Sequence, residues 1–287
     1  MILVTGATGQ LGTAVIETLL KKTSADQIAG LARSAEKAAS FKEQGVDMRI
    51  GDYDDTASLE QAMQGVDRVL LIASNDEDKR VQQHQNVIHA AKKAGVKCVA
   101  YTSRTLKDPT TMENKLMEGH FKTEDDIKAS GLGYIIFRNV LYMDAVPQFV
   151  GGEKVFETGI NFPTGDGRVP FALRSDMGEA IATALLEDGC ADETYNLTNS
   201  ESYSFADVAA ALSELSGQEV KYNPVEKEAF AAGLAQRGVP EVQAQRVVGF
   251  LVDIGNGQED DVSPKLEQLL GRKPVTLEAG LKILFEL

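Results

Sequence analysis

The chain has 287 residues, a formal net charge of −14 and 43% hydrophobic residues. That size suffices for one large α/β domain, or a main domain with a smaller companion, burying its own core without help from metals or disulfides. The acidic balance excludes a nucleic-acid groove, which must neutralise phosphates with clustered Lys and Arg, and no apolar run approaches the roughly 20 residues of a membrane span.

Ile2, Leu3 and Val4 make a short apolar strand closed by Thr5. Glycines then recur at every third position in Gly6-Ala7-Thr8-Gly9-Gln10-Leu11-Gly12, before helical spacing begins at Leu11, Val15 and Leu19. A buried strand turning through glycines into a helix is the physical recipe for holding a pyrophosphate. Gly6 allows the tight turn, Gly9 lets the backbone approach the phosphates, and Gly12 lets helix and strand pack closely. A strand that begins at Ile2 leaves no room for a signal peptide. The two cysteines, Cys98 in an apolar strand and Cys190 in a loop, make neither a disulfide framework nor a metal site. The expectation is a reduced, cytoplasmic protein.

Ile28 to Ala32 reads as a second buried strand, closed by Arg33. A dinucleotide fold usually carries an acid here, about 20 residues past the glycines, to bind the ribose hydroxyls of NAD. An arginine forks instead onto a 2′-phosphate and stacks on adenine, which points to NADP. After a polar helix, Val46 to Ile50 forms a third strand followed by Gly51-Asp52-Tyr53, where Asp52 either accepts the adenine amine or caps the next turn. The strand Arg68 to Ile72 leads into Ala73-Ser74-Asn75, small residues that let a cofactor pass over the strand end. A long helix from Arg80 to Ala94 holds His84 and His89, which are five apart and share no face for a metal.

The strand Cys98 to Thr102 ends in Ser103; a helix over 113–129 and the strand Tyr134 to Phe137, capped by Arg138 and Asn139, follow. Alternating strands and helices predict a Rossmann-type doubly wound parallel sheet. From Val140 the pattern loosens. Residues 142–174 contain Phe149, Phe156, Phe162 and Phe171, either as a substrate cover or as a loop packing on its own core. Asp176 with Glu179 starts a helix to Leu186, and Glu193 to Leu197 reads as one more strand. Helices over 204–215, 228–236 and 241–253, a strand Val220 to Val225, and a final helix after Thr276 complete a mostly helical C-terminal region. The division is 1–139 with 175–197 returning to it, and 140–174 with 198–287 as a smaller substrate-binding region.

The opening glycine stretch, Arg33, Gly51-Asp52-Tyr53, His84-Gln85-Asn86-Val87, Ala94-Gly95-Val96-Lys97, Ala100-Tyr101-Thr102-Ser103, His120 with Thr123-Glu124, Arg138-Asn139 with Tyr142, and Tyr195-Asn196-Leu197 before Phe205 together carry a family likeness. The chain resembles an atypical short-chain dehydrogenase/reductase of the NmrA-like group, in its NADPH:quinone oxidoreductase and triphenylmethane reductase branch. The resemblance implies NADP held by Gly6, Ala7, Thr8, Gly9, Gln10, Leu11, Arg33, Ala73, Ser74, Asn75, Asn139, Val140, Leu141, Tyr142, Met143, Asp144 and Arg174. It places the nicotinamide near Thr102, Ser103 and Asn139, with Thr102, Ser103 and His120 as the catalytic candidates and no metal.

Ordinary members of the wider superfamily carry a Tyr and a Lys four apart, the lysine lowering the tyrosine's pKa. Here those positions are His120 and Glu124, and a glutamate would raise its neighbour's proton affinity. His120 either donates a proton or only packs. The implied activity is NADPH-dependent reduction of quinones or similar conjugated acceptors, for which the protein need only orient the two partners. The alternative is a non-catalytic NADP(H) sensor acting through a protein partner. The expected partners are a small aromatic or quinone-like substrate, with no nucleic acid and no membrane; a homodimer is compatible with the sequence and not fixed by it.

Overall fold

The computed structural model describes residues 1–287. Its first half alternates strand and helix: β1 (Ile2–Val4), α1 (Gln10–Lys22), β2 (Ile28–Ala32), α2 (Ala35–Glu43), β3 (Asp47–Ile50), α3 (Thr56–Ala62), β4 (Arg68–Leu71), α4 (Arg80–Ala94), β5 (Cys98–Arg104), α5 (Glu118–Ala129) and β6 (Gly133–Asn139). There follow α6 (Val146–Val150), α7 (Val155–Thr158), β7 (Arg168–Val169), α8 (Arg174–Leu186), β8 (Glu193–Leu197) and β9 (Tyr203–Ser204). The chain closes with α9 (Phe205–Ser216), α10 (Lys227–Gln236), α11 (Glu241–Gly255), α12 (Lys265–Leu270) and α13 (Leu277–Leu284).

Seven strands form one sheet in the order β3-β2-β1-β4-β5-β6-β8, and the pairs from β3 through β6 are all parallel. Parallel strands end at a common edge, and the order reverses between β1 and β4, where such sheets open a crevice. Alternation along each strand sends Leu3, Leu31, Leu71 and Tyr101 to one face, where they pack with Leu59 of α3, Val87 and Ile88 of α4, and Ile127 of α5. Elsewhere α1 and α8 approach so closely that a Cβ on Gly178 would stand 2.5 Å from the Ala14 Cβ. No helix is long and apolar enough to cross a membrane.

The chain forms two units, one of residues 1–104, 118–139 and 174–196, the other of 105–117, 140–173 and 197–287. The sequence division runs the first region unbroken to 139; the structure assigns 105–117 to the second unit. Within that unit the buried Asp253 carboxylate accepts the backbone N–H groups of Glu113 (2.7 Å) and Asn114 (2.9 Å), fastening the segment to α11. Arg174, read as the end of the irregular stretch, instead opens α8 in the first unit. The expected strand Val220 to Val225 is not formed. Tyr222 makes an isolated bridge to Ile160, and Pro224, lacking an N–H, cannot extend the ladder. Phe162 and Phe171 are core residues packed edge-on against Phe205, at centroid distances of 4.9 and 5.8 Å; for these two, core packing replaces the substrate-cover reading.

The cysteines also require a correction. Cys98 and Cys190 form a disulfide, with Cα atoms 5.8 Å apart across 92 residues of sequence. The sheet order explains it: β5 and β8 flank β6, so the start of β5 and the loop before β8 meet over Gly133. A Cβ on Gly133 would stand 3.0 Å from both the Cβ and the Sγ of Cys190. Sequence separation gave no sign of this neighbourhood. Such bonds persist in oxidising compartments and are rare in the reduced cytosol, so the reduced state read from the cysteine count is not the state seen here. Because a cross-link stabilises chiefly by restricting the unfolded chain, Cys190→Ser is expected to lower unfolding stability by about 2–4 kcal/mol. Urea titration with and without reductant checks this: the native chain should respond to reductant and the variant should not.

Candidate functional site

The glycine loop follows β1 at the carboxyl edge. Gly6 has φ +57°, a left-handed conformation that favours glycine. Its carbonyl receives the Gly9 N–H at 2.9 Å. A Cβ on Gly12 would stand 2.3 Å from the Gly6 carbonyl oxygen, so the first turn of α1 rests directly on the loop. The amides of Gln10, Leu11 and Gly12 open the helix and have no carbonyl one turn back to bond. No side chain caps this end and no acid lies in its first turn, which leaves the positive helix terminus available to an anion. The Ala7 N–H donates to the Leu31 carbonyl at 3.1 Å, fixing the loop to β2, whose end carries the exposed Arg33. Asp52 accepts the Asp54 N–H at 2.9 Å, and its own N–H donates to the Ser58 hydroxyl. In this structure Asp52 shapes the turn after β3.

At the centre of the edge the Thr5 hydroxyl donates to the Leu70 carbonyl (2.9 Å) and accepts the Ile72 N–H (3.0 Å). The Tyr53 hydroxyl reaches Thr5 Oγ1 and the Ile72 carbonyl. Thr102 Oγ1 accepts the Ala73 N–H at 2.9 Å, tying the loop after β4 to β5. Ser103 donates to Glu124 at 2.6 Å. Glu124 is 1% exposed and is gripped by Arg138 through Nε (2.9 Å) and a terminal nitrogen (2.6 Å). Asn139, paired in register with Arg104, ends β6 at the same edge.

The first unit thus gathers Gly6 to Leu11, Arg33, Asp52, Ala73 to Asn75, Thr102, Ser103 and Asn139 at one sheet edge. Val140 to Asp144 lie in the second unit. There the Val140 N–H donates to the Leu197 carbonyl and the Met143 N–H to the Ala172 carbonyl. Val140, Leu141 and Met143 are buried, the Met143 sulfur packing against the bare α-carbon of Gly280. Tyr142 bridges to Ala172.

His120, on α5, is buried, and its Nδ1 lies 3.0 Å from the Tyr101 hydroxyl. The sequence reading has Glu124 raising the proton affinity of His120. The structure reverses this: Glu124 is turned to Arg138 and Ser103, while burial first, then the charges of Arg80 and Arg104, hold the His120 pKa well below its usual value. His84 is likewise pushed down to about 3 by burial and by Arg80. Burial pushes Tyr101 and Tyr53 upward, so both remain protonated. Arg80 and Gln83 have no motif that flags them in the sequence, and Tyr101, though it lies in the Ala100 to Ser103 stretch, is given no role there. The one signal is the spacing of Arg80, Gln83 and His84, which puts three polar groups on one buried helix face.

The strand order and the glycine cradle define a Rossmann-type fold with an uncapped helix terminus at its switch point. A model of the NmrA-like family matches residues 1–279, and the chain belongs to that family. Quinone oxidoreductase 2 of Escherichia coli is 36% identical over 286 residues, 99% of each chain. The structure of an NADPH-dependent quinone oxidoreductase from Escherichia coli, complexed with NADPH, matches with TM-score 0.91 at 36% identity, covering 99% of this chain and 100% of that one. Triphenylmethane reductase of Citrobacter sp., complexed with NADP(H), gives TM-score 0.90 at 35% identity, with 99% and 100% covered.

The two buried histidines give stability a defined pH dependence. In the unfolded chain each binds a proton near pH 6.5; folded, both stay neutral well below that. The unfolded state therefore holds more protons below pH 6.5, and stability falls as the pH drops. Between pH 7.0 and 5.5 the two together are expected to cost about 2.5 kcal/mol. Urea titration at the two pH values measures it, and His84→Gln should halve the loss.

Proposed function

We propose that the chain is an NADPH-dependent reductase that passes hydride to quinones or similar flat, conjugated acceptors. What supports this most is the full-length likeness, in sequence and fold, to a quinone oxidoreductase solved with NADPH. The residues present fit the cofactor: a glycine cradle with no room for a Cβ at Gly12, an uncapped helix terminus, and an exposed Arg33 at the end of β2. Gly6 to Leu11 would hold the pyrophosphate, Arg33 the 2′-phosphate, and Ala73 to Asn75 would border the dinucleotide. Asn139 to Asp144 and Arg174 complete the proposed binding set.

NADPH supplies the hydride. Thr102, Ser103 and His120 would face the reacting ring, and what they do is set by their own bonds. Thr102 holds the loop after β4, the Ser103 hydroxyl donates its hydrogen bond to Glu124, and His120 is a neutral ring bonded to Tyr101. None of them is a charged acid, and α5 carries no Tyr and Lys pair. A quinone needs none, because hydride addition gives a resonance-stabilised phenolate that solvent protonates. The work of the protein is then orientation at contact distance.

The experiment is NADPH oxidation followed by absorbance with a series of quinones. Quinone-dependent loss of absorbance is expected; NADPH binding with no such loss would assign the chain to the sensor reading instead. Arg33→Asp should shift preference from NADPH toward NADH by at least about tenfold, since a carboxylate repels the 2′-phosphate and accepts from ribose hydroxyls. Unchanged relative affinities by titration would show that Arg33 does not read the phosphate.

A further inference from the structure

One face of α4 claims every polar group of Ser74. The Ser74 N–H donates to His84 Nε2 at 2.9 Å, its carbonyl accepts from Arg80 Nε at 3.0 Å, and its hydroxyl donates to Gln83 Oε1. The same hydroxyl accepts the Asp76 N–H at 3.1 Å, and Gln83 is in turn anchored on Asp54 at 3.0 Å. Held at its N–H, its carbonyl and its hydroxyl, Ser74 fixes the course of the backbone between Ala73 and Asn75.

His84 does a second thing. Because Nε2 receives an N–H, it carries no proton, and the neutral ring must carry its proton on Nδ1. That proton points to Thr123 Oγ1, 2.9 Å away, and the Thr123 hydroxyl in turn donates to the Gly119 carbonyl at 2.8 Å. The result is a one-directional chain of hydrogen bonds from the loop after β4 to the first turn of α5, next to His120. His84 and Thr123 are fully buried. Tyr53 and Tyr101 stand edge-on to the His84 ring, at centroid distances of 6.4 and 5.2 Å, and hold its plane.

We propose that His84 is a positioning residue for dinucleotide binding: it sets the loop Ala73-Ser74-Asn75 in its binding shape before the cofactor arrives, and registers that loop against α5. The inference rests on the reading that this loop borders NADPH. A loop already ordered spares the cofactor the entropy of ordering it. Freed from His84, the Ser74 amide would lose a buried partner and the loop its fixed course.

Two conservative variants separate the arms. In His84→Gln the amide oxygen stands as many bonds from Cβ as Nε2 does, so it can still accept the Ser74 N–H. In His84→Asn the amide nitrogen corresponds to Nδ1 and serves only Thr123. NADPH titration by fluorescence should show His84→Asn and His84→Ala weakened about tenfold, equivalent to about 1.4 kcal/mol, and His84→Gln within about threefold of the native chain. KM for NADPH should follow the same order while kcat at saturating NADPH changes little. Equal weakening in Gln and Asn, no weakening in Asn, or recovery in Asn alone would each overturn the proposal.

A measurement on the native chain stands independently of whether the variants fold. Hydrogen exchange at the Ser74 amide should be slow before NADPH is added; exchange that slows only on addition would mean that the cofactor orders the loop, and would overturn the proposal. Arg33→Asp is the control for the underlying reading. If it weakens NADPH while the His84 variants do not, only the positioning role falls; if NADPH affinity is indifferent to both, the cofactor-site reading falls.

Discussion

Between the α-carbon of Gly12 and the carbonyl oxygen of Gly6 there is room for a hydrogen and nothing larger, since a methyl would stand 2.3 Å from that oxygen. This contact seats the first turn of α1 on the loop after β1 and turns its unpaired amides outward. The rest of the edge is then registered by short bonds, from the same loop and its leading Thr5 to β2 and β4, and from β5 to the loop after β4. Ala7 fixes β2, and with it Arg33; Thr5 fixes the end of β4; Thr102 fixes the start of the following loop. A side chain at position 12 would displace the helix and misalign every one of these groups.

The net charge of −14 makes an anion site in this chain look improbable until the placement of the acids is considered. The first turn of α1 has none, and its basic residues, Lys21 and Lys22, lie in the last turn. Asp67, just before β4, stands at the opposite, amino edge of the sheet, where Lys97 and the chain's own terminal amine hold its carboxyl down to about 2. Glu124, the acid buried closest to the proposed reacting residues, is compensated by the two-point grip of Arg138. The helix terminus therefore meets no acid of its own first turn, and solvent and salt screen the remainder of the acidic surface.

What the sequence shows and what it hides divide along a physical line. Interactions that repeat along the chain are legible: the strand–glycine–helix opening, the long helix over 80–94, and the alternation that fixes the sheet all follow from local spacing. Contacts between residues distant in sequence are not. Cys98 and Cys190 meet only because β6 lies between their strands, and Ser74 finds Arg80, Gln83 and His84 only because the loop folds back on α4. The relation of His120 to Glu124 fails for a subtler reason. Their spacing of four puts them on one side of α5, but each has a stronger partner elsewhere, Tyr101 for one and Arg138 for the other. Val220 to Val225 has strand-like composition, yet a strand exists only where a partner offers a ladder, and here Ile160 and Phe162 supply no more than scattered bonds.

On the proposed function, the same inward commitments decide which acceptors the site can serve. A carbonyl reduced to an alcohol must be given a proton in the transition state. The groups that could give it are each engaged within the fold: the Ser103 hydroxyl donates to Glu124, Tyr101 is buried and bonded to His120, and His120 is held neutral by burial and Arg80. An acceptor that stabilises the incoming electron pair within its own conjugated system escapes this demand. Selection among substrates therefore passes from proton donors to the electron affinity of the acceptor and its fit against the cofactor ring, and a rigidly held loop and cradle, in place of a poised acid, become the catalytic asset of the chain.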